Sequence, residues 1–164
     1  MTSTPKARFY WLVPAAFLAH CAEELPRFPR WATRHFGTTT TQFYLASHAI
    51  LVPSVLSAGA CGANRPTSRR AAFFATSVAA ALGINGVFHI ATTRLFGEYS
   101  PGVITGAAAV LPAAVYTLLR TKRDNLLTEE QILGAFLTGT ALSTGAIASL
   151  YVDMPRLGGT VTSG

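Results

Sequence analysis

Five long apolar stretches restrict what this chain can fold into more than any other feature. A helix needs about 20 apolar residues to cross a bilayer, and each stretch is close to that length. Only 12% of the residues are charged, whereas a soluble domain carries about 25%, so too few charges remain to cover a surface in water. The sequence therefore predicts an all-α fold, a polytopic membrane helical bundle of about five transmembrane helices in a single domain, 1–164. The predicted spans are approximately 8–24, 43–61, 72–92, 101–119 and 132–152, with an interfacial segment at 25–42.

The basic residues flank the apolar stretches and do not form a continuous basic surface. They give a net charge of +6, yet they cluster in the short connections, as membrane-flanking charges do. We therefore expect the lipid bilayer, and no nucleic acid, as a partner. With the N-terminus in the cytoplasm, eight Lys and Arg residues lie inside and five outside. The positive-inside rule predicts this orientation in the cell membrane.

The ionisable side chains within the apolar stretches, together with one amide, lie at one predicted membrane level. Three of them end the first span, one lies near the start of the second, and two lie in the last third of the third. These residues are His20, Glu23, Glu24, His48, Asn85 and His89. Because successive spans run in opposite directions, all six come to the same side. Ionisable groups in a membrane are costly and typically functional, so we expect one shared polar site.

The spacing of these residues is suited to a metal ion. His20 and Glu24 are four residues apart on a helix and share a face, as do Asn85 and His89. Helix-borne Glu and His side chains build metal sites inside bundles, and imidazole with carboxylate suits zinc or iron. We therefore predict a divalent metal ion, zinc or iron. The predicted ligands are His20, Glu24, His48 and His89, and the predicted catalytic residues are Glu23, Glu24 and Asn85.

A site without metal is the alternative at these residues. A histidine paired with a carboxylate can act as a general base while a second carboxyl acts as an acid. Glu23 and Glu24 could also lie at the headgroup level, paired with nearby arginines. The sequence leaves these readings open.

The segment 25–42 is predicted to lie on the outer interface and to cap the site. It combines aromatic residues with arginines at helical spacing, which is typical of an interfacial amphipathic helix. Arg27 and Arg30 are predicted to bind an anionic part of a substrate. Plain anchoring at the interface is the alternative for both. A second pair of adjacent glutamates has a local explanation, because Thr128 and Gln131 around it predict a helix-starting capping box.

The motif residues resemble a known family. His20-Cys21-Ala22-Glu23-Glu24 resembles the His-x-x-Glu-Glu signature of the HXXEE domain family, and 85–89 resembles its Asn-x-x-x-His motif. His48 is similar to the isolated histidine of that family. The resemblance extends over the whole chain and implies a small membrane-embedded enzyme, without indicating a reaction or a substrate.

Three functions are consistent with the sequence. The first is a membrane-embedded enzyme that acts on a hydrophobic or lipid-like small molecule, as a hydrolase if the metal activates water or as an oxidoreductase if the metal is redox-active. The second is a proton- or cation-coupled transporter, or a metal-binding membrane protein, since intramembrane Glu and His residues also relay ions. The third is a structural membrane subunit in which the polar residues only hold helices together.

Overall fold

The structure, a computed structural model, describes residues 7–37 and 39–150, and it is helical throughout most of that length. A short 3-10 helix, Ala7–Trp11, leads into α1. The helices are α1 (Leu12–Glu24), α2 (Phe28–Phe36), α3 (Thr41–Asn64), α4 (Arg69–Phe96), α5 (Val103–Arg123) and α6 (Glu129–Ser149). The predicted all-α membrane bundle is confirmed. The predicted end of the fifth span, 151–152, lies outside the described residues.

Four of these helices, α3 to α6, are long and apolar enough to cross a membrane. They correspond to the second to fifth predicted spans. The first predicted span is formed by the 3-10 helix and α1, which is 13 residues long and ends at Glu24 as predicted. At 1.5 Å per residue, α1 alone reaches only about 20 Å, less than the ~30 Å of a hydrocarbon core.

Local sequence explains where the long helices begin and end. The side chains of Thr40 and Ser68 accept hydrogen bonds from backbone N–H groups in the first turns of α3 and α4. Thr128 and Gln131 form the predicted capping box at the start of α6. Helix α4 ends at Phe96, and the next residue, Gly97, has a φ of +65°, the left-handed conformation that commonly terminates helices.

Helix α4 lies at the centre of the bundle and packs against α3, α5 and α6. Small residues permit the helices to approach closely. Close packing then holds the helices together, because there is no hydrophobic driving force between helices in lipid. A Cβ at Gly86 would come within 3.0 Å of the carbonyl oxygen of Gly106 in α5, where the backbone makes a π-helical turn over Gly106–Val110. Such turns are frequent at functional sites.

Helix α2 lies within the predicted interfacial segment and covers one end of the bundle. Its buried aromatic residues, Phe28, Trp31 and Phe36, pack with Tyr44 of α3 and with partly buried aromatic residues of α4. The Phe28 ring lies 5.7 Å, centroid to centroid, from the ring of a buried histidine, His89. Helix α2 therefore closes off the polar residues beneath it.

Candidate metal centre

Two helices bring three of the predicted polar residues together. The last turns of α1 supply His20 and Glu24, and α4 supplies His89, at exposures of 1%, 4% and 0%. One ligand atom from each of the three lies within 4.8 Å of the other two, so this group could hold a metal ion. The structure thus confirms that a buried group of His and Glu side chains could bind a metal ion, as the sequence predicted.

The distances within the group match those between ligands of one ion. Oε1 of Glu24 lies 3.0 Å from Nε2 of His89 and 3.5 Å from Nε2 of His20. At a metal–ligand distance of about 2.1 Å, neighbouring ligands are ~3.0 Å apart in an octahedron and ~3.4 Å apart in a tetrahedron. The separations of Glu24 from the two histidines therefore match those expected around a first-row metal ion.

The Nε2 atom of His89 is a buried nitrogen without a hydrogen-bond partner among the described residues. Its 3.0 Å approach to Glu24 counts as an ion pair by distance, but it lacks the direction that a hydrogen bond requires. A hydrogen bond weakens steeply when it is misaligned, so this short contact does not satisfy Nε2 as a hydrogen bond would. A cation between the two atoms would satisfy both.

Glu24 is a buried carboxylate surrounded by imidazoles. Its second oxygen, Oε2, accepts a hydrogen bond from the Tyr44 hydroxyl at 3.1 Å and lies 3.7 Å from Nε2 of His48. Removing one charge from water without a partner costs several kcal/mol, so a positive charge must accompany this carboxylate. Either a protonated imidazole or a bound cation supplies that charge, which couples metal binding to proton release.

Thr105 connects His20 to the other glutamate of the motif. The Thr105 hydroxyl donates to Oε2 of Glu23, and its oxygen lies 3.0 Å from Nδ1 of His20. A hydroxyl has a single proton, so Nδ1 of His20 must be the donor to Thr105. These two hydrogen bonds therefore fix the tautomer of His20 in which Nδ1 carries the proton, and Nε2 is the nitrogen that faces Glu24. A protonated Nε2 donates to Oδ1 of Asn85 at 3.1 Å, and a bound cation would replace that proton.

Glu23 points at the start of α5 and lies outside the ligand group. Its carboxylate accepts hydrogen bonds from the backbone N–H groups of Gly102, Ile104 and Thr105 at 3.1, 3.1 and 2.7 Å. The Tyr99 hydroxyl also donates to it. Burial, together with this carboxylate, raises the pKa of Tyr99 to about 12, so the phenol remains a donor. Glu23 thus holds the α5 terminus against α1.

The loop before α5 contributes residues that the sequence reasoning missed. The hydroxyl of Ser100, which is fully buried, lies 3.0 Å from Nδ1 of His89. Gly102 has a φ of +101°, and a Cβ there would lie 2.6 Å from Cε1 of His20 and 3.0 Å from Cε1 of His89. Ser100 and Gly102 belong to a Ser-Pro-Gly sequence before α5, and no helical spacing links them to the histidines.

His48 and the two arginines are placed differently from the three ligands. The His48 ring stacks on Tyr44 with centroids 3.9 Å apart, and Nδ1 lies 2.9 Å from the Tyr44 carbonyl oxygen. His48 lies outside the ligand group, so its role as a ligand stays a prediction. Arg27 and Arg30 are exposed, and neither belongs to the described residues that line the cleft next to the site. Their predicted substrate binding also stays a prediction.

The site opens into an apolar cleft of about 500 Å³. Its walls are formed by α3, α4 and α6, with α1 at one side, and they include Phe17, Leu51, Val78 and Leu142. His20, Glu24, His48 and Asn85 lie together at one end. The volume is within the ~300–1,000 Å³ range of small-molecule sites, which are typically apolar with a few convergent polar groups.

Comparison with known proteins places the site within a matched region. The model of a family described as "Protein of unknown function with HXXEE motif" matches residues 11–117, which include the ligand group and its hydrogen-bonded neighbours. No curated protein and no solved structure gives a significant match. The chain therefore belongs to the HXXEE family.

Proposed function

We propose that this protein is a membrane-embedded, metal-dependent enzyme that acts on a hydrophobic, lipid-like substrate. One observation carries the proposal: His20, Glu24 and His89 converge as a buried group, and two of them, His20 and Glu24, also line an apolar cleft. Helix-locking polar residues would not need such a cleft, and a buried carboxylate is a costly device for packing alone.

Two histidines and one carboxylate form a ligand set that recurs in catalytic sites. Three protein ligands with a remaining position for water or substrate are typical of catalytic zinc. The same set supports non-haem iron in oxygenases. A divalent cation bound here would polarise a substrate oxygen or activate water. The identity of the metal therefore separates the two reaction classes, hydrolysis and oxidation.

The remaining residues have roles that follow from their contacts. His48 is half-buried and lines the cleft, and its Nε2 is directed toward Glu24, so it can exchange a proton with a bound substrate. Asn85 also lines the cleft, and its amide can orient a substrate oxygen or nitrogen. Tyr44 holds the second oxygen of Glu24 and keeps that carboxylate turned toward the two histidines.

Metal content of the purified protein is the first test. We expect about one zinc or iron per chain by elemental analysis in detergent, and a loss of about tenfold or more in Glu24→Gln and His89→Gln. Glu98→Gln and His35→Gln are matched controls, because this pair of side chains lies outside the ligand group. Wild-type protein that is folded but binds no metal after zinc or iron is supplied would refute the metal-dependent reading.

Isotope incorporation tests the reaction. The metal-loaded protein is incubated with a total lipid extract in H₂¹⁸O, or under ¹⁸O₂, and the products are compared with those of Glu24→Gln. A hydrolase incorporates ¹⁸O from water, whereas an oxygenase incorporates it from O₂. Lipids that are unchanged in both experiments, with stoichiometric metal bound, would contradict an enzymatic role on membrane lipids.

A further inference from the structure

We infer that the cleft binds a single hydrocarbon chain of a membrane amphiphile, with the polar head at Glu24 and the chain end near Phe74. The chemistry at the head rests on the proposed function, whereas binding of the chain rests on the shape of the cleft alone. Four properties of the cleft support this inference: its length, its volume, its polarity and its access.

The length of the cleft suits one lipid chain. On α3 its lining runs from Tyr44 to Val55, and on α4 from Asn85 to Phe74. At 1.5 Å per residue, each path covers about 16 Å along the helix. This length is about half of the ~30 Å hydrocarbon core, so it is comparable to the length of one lipid chain.

The volume of the cleft has room for a hydrocarbon chain. At about 500 Å³ it lies within the ~300–1,000 Å³ range of small-molecule sites. The inferred occupant is a single-chain amphiphile, such as a fatty acid or a lysolipid, or one chain of a larger lipid.

The polarity of the cleft sets the orientation of the occupant. Polar groups from Glu24, His48 and Asn85 gather at the end where α1 finishes, and the opposite end is formed by Phe74 and Val78. A lipid of the leaflet next to the site has the same orientation, with its head toward the interface and its chain directed into the bilayer. Such a lipid would enter without turning over.

Access from the bilayer is provided by walls that are themselves exposed. Phe43, Phe74 and Leu142 line the cleft, and they are 50%, 41% and 59% exposed. In a membrane these side chains contact lipid, so the gap between α3 and α6 is open sideways. A chain can therefore move in laterally and need not pass through water.

Photo-crosslinking tests the inference. The full chain in phosphatidylcholine nanodiscs is irradiated with hexadecanoic acid carrying a diazirine either at its terminal carbon or next to its carboxylate. We expect the terminal label on peptides around Phe74 and Val78, and the other label around Tyr44 and His48. Labels spread over lipid-facing residues, without this separation, would overturn the inference.

Matched tryptophan substitutions test whether the labels lie in the cleft. Ser54 and Ser57 are both exposed on α3, but only Ser54 lines the cleft. We expect Ser54→Trp to reduce terminal labelling by about fivefold or more, equivalent to ~1 kcal/mol, and Ser57→Trp to leave it unchanged. If Ser54→Trp fails to fold, Ala146→Trp on the opposite wall replaces it, with Ala148→Trp as its control. Equal labelling in the members of a pair overturns the inference.

The failure of this inference and that of the proposed function are distinguishable. Glu24→Gln is expected to lose the metal and to keep the terminal label, because the chain end lies far from Glu24. Protein that binds stoichiometric metal without cleft labelling overturns the chain-binding inference alone. Protein with cleft labelling but without metal supports the chain-binding inference and overturns the metal-dependent function.

Discussion

Replacing Thr105 with valine should weaken metal binding although Thr105 is not a ligand. Valine keeps the shape of threonine and keeps the backbone N–H that donates to Glu23. It removes the hydroxyl that lies between Nδ1 of His20 and the Glu23 carboxylate. The tautomer of His20 would then no longer be held with Nε2 available to a cation.

The size of the effect follows from the burial of His20. Its side chain is 1% exposed, so an Nδ1–H without an acceptor costs about 1–3 kcal/mol. Loss of a group that orients a metal ligand typically lowers metal affinity by about 10–100-fold, which equals ~1.4–2.8 kcal/mol. The two ranges agree, so we expect zinc affinity to fall by about one to two orders of magnitude in Thr105→Val.

A competition titration measures this effect. Zinc is titrated into detergent-solubilised protein in the presence of a chromophoric chelator, for wild type, Thr105→Val and Thr105→Ser. Serine restores the hydroxyl, so we expect its affinity to remain within about threefold of wild type. Thermal unfolding without metal shows whether the valine variant is folded. A folded valine variant that binds zinc as tightly as wild type would refute the proposed control of the His20 tautomer.

Three other outcomes follow from the site. Gly102→Ala should lower both the unfolding temperature and the zinc affinity. A non-glycine residue at φ +101° costs about 1–3 kcal/mol, and its Cβ would lie 2.6 Å from Cε1 of His20. An unchanged melting curve by circular dichroism would contradict this prediction. Zinc binding to wild type should weaken as pH falls, since imidazole protons compete with the ion; a pH-independent affinity between pH values of about 5 and 8 would argue against histidine ligands. The hydrogen bond from His35, followed by the charge of Arg34, lowers the pKa of Glu98. Ionised Glu98 therefore stabilises the fold at pH values above its pKa in the unfolded chain, and this stabilisation is lost as the pH falls through its pKa in the folded protein. Glu98→Gln should therefore reduce the acid dependence of stability measured by chemical denaturation, and an identical pH profile would contradict the pairing.

Much of the fold was predictable because its main signals are local. Apolar length identifies the spanning helices, and the capping residue Thr128 marks the start of α6 through contacts within four residues. The exception is the first span, where the apolar run begins in a 3-10 helix and yields a helix of only 13 residues. Length and composition do not distinguish a full span from a shorter buried helix.

The candidate site was predictable in its histidines but not in its supporting residues. His20 and His89 could be found because ionisable residues in apolar segments are rare and expensive. Ser100 and Thr105 are ordinary polar residues near a turn, and they are 80 and 85 residues from His20 along the chain. Nothing in their local sequence marks them as partners of the two histidines.

The sequence by itself determined that polar groups on three helices would meet at one membrane level, because depth along a spanning helix depends only on residue number and direction. Only the tertiary structure decided which of those groups face one another. Adjacent residues on a helix point about 100° apart, so Glu24 turns to His20 and His89 while Glu23 turns to the start of α5. That rotation is set by the packing of α1 against its neighbours, which no local pattern in the sequence encodes.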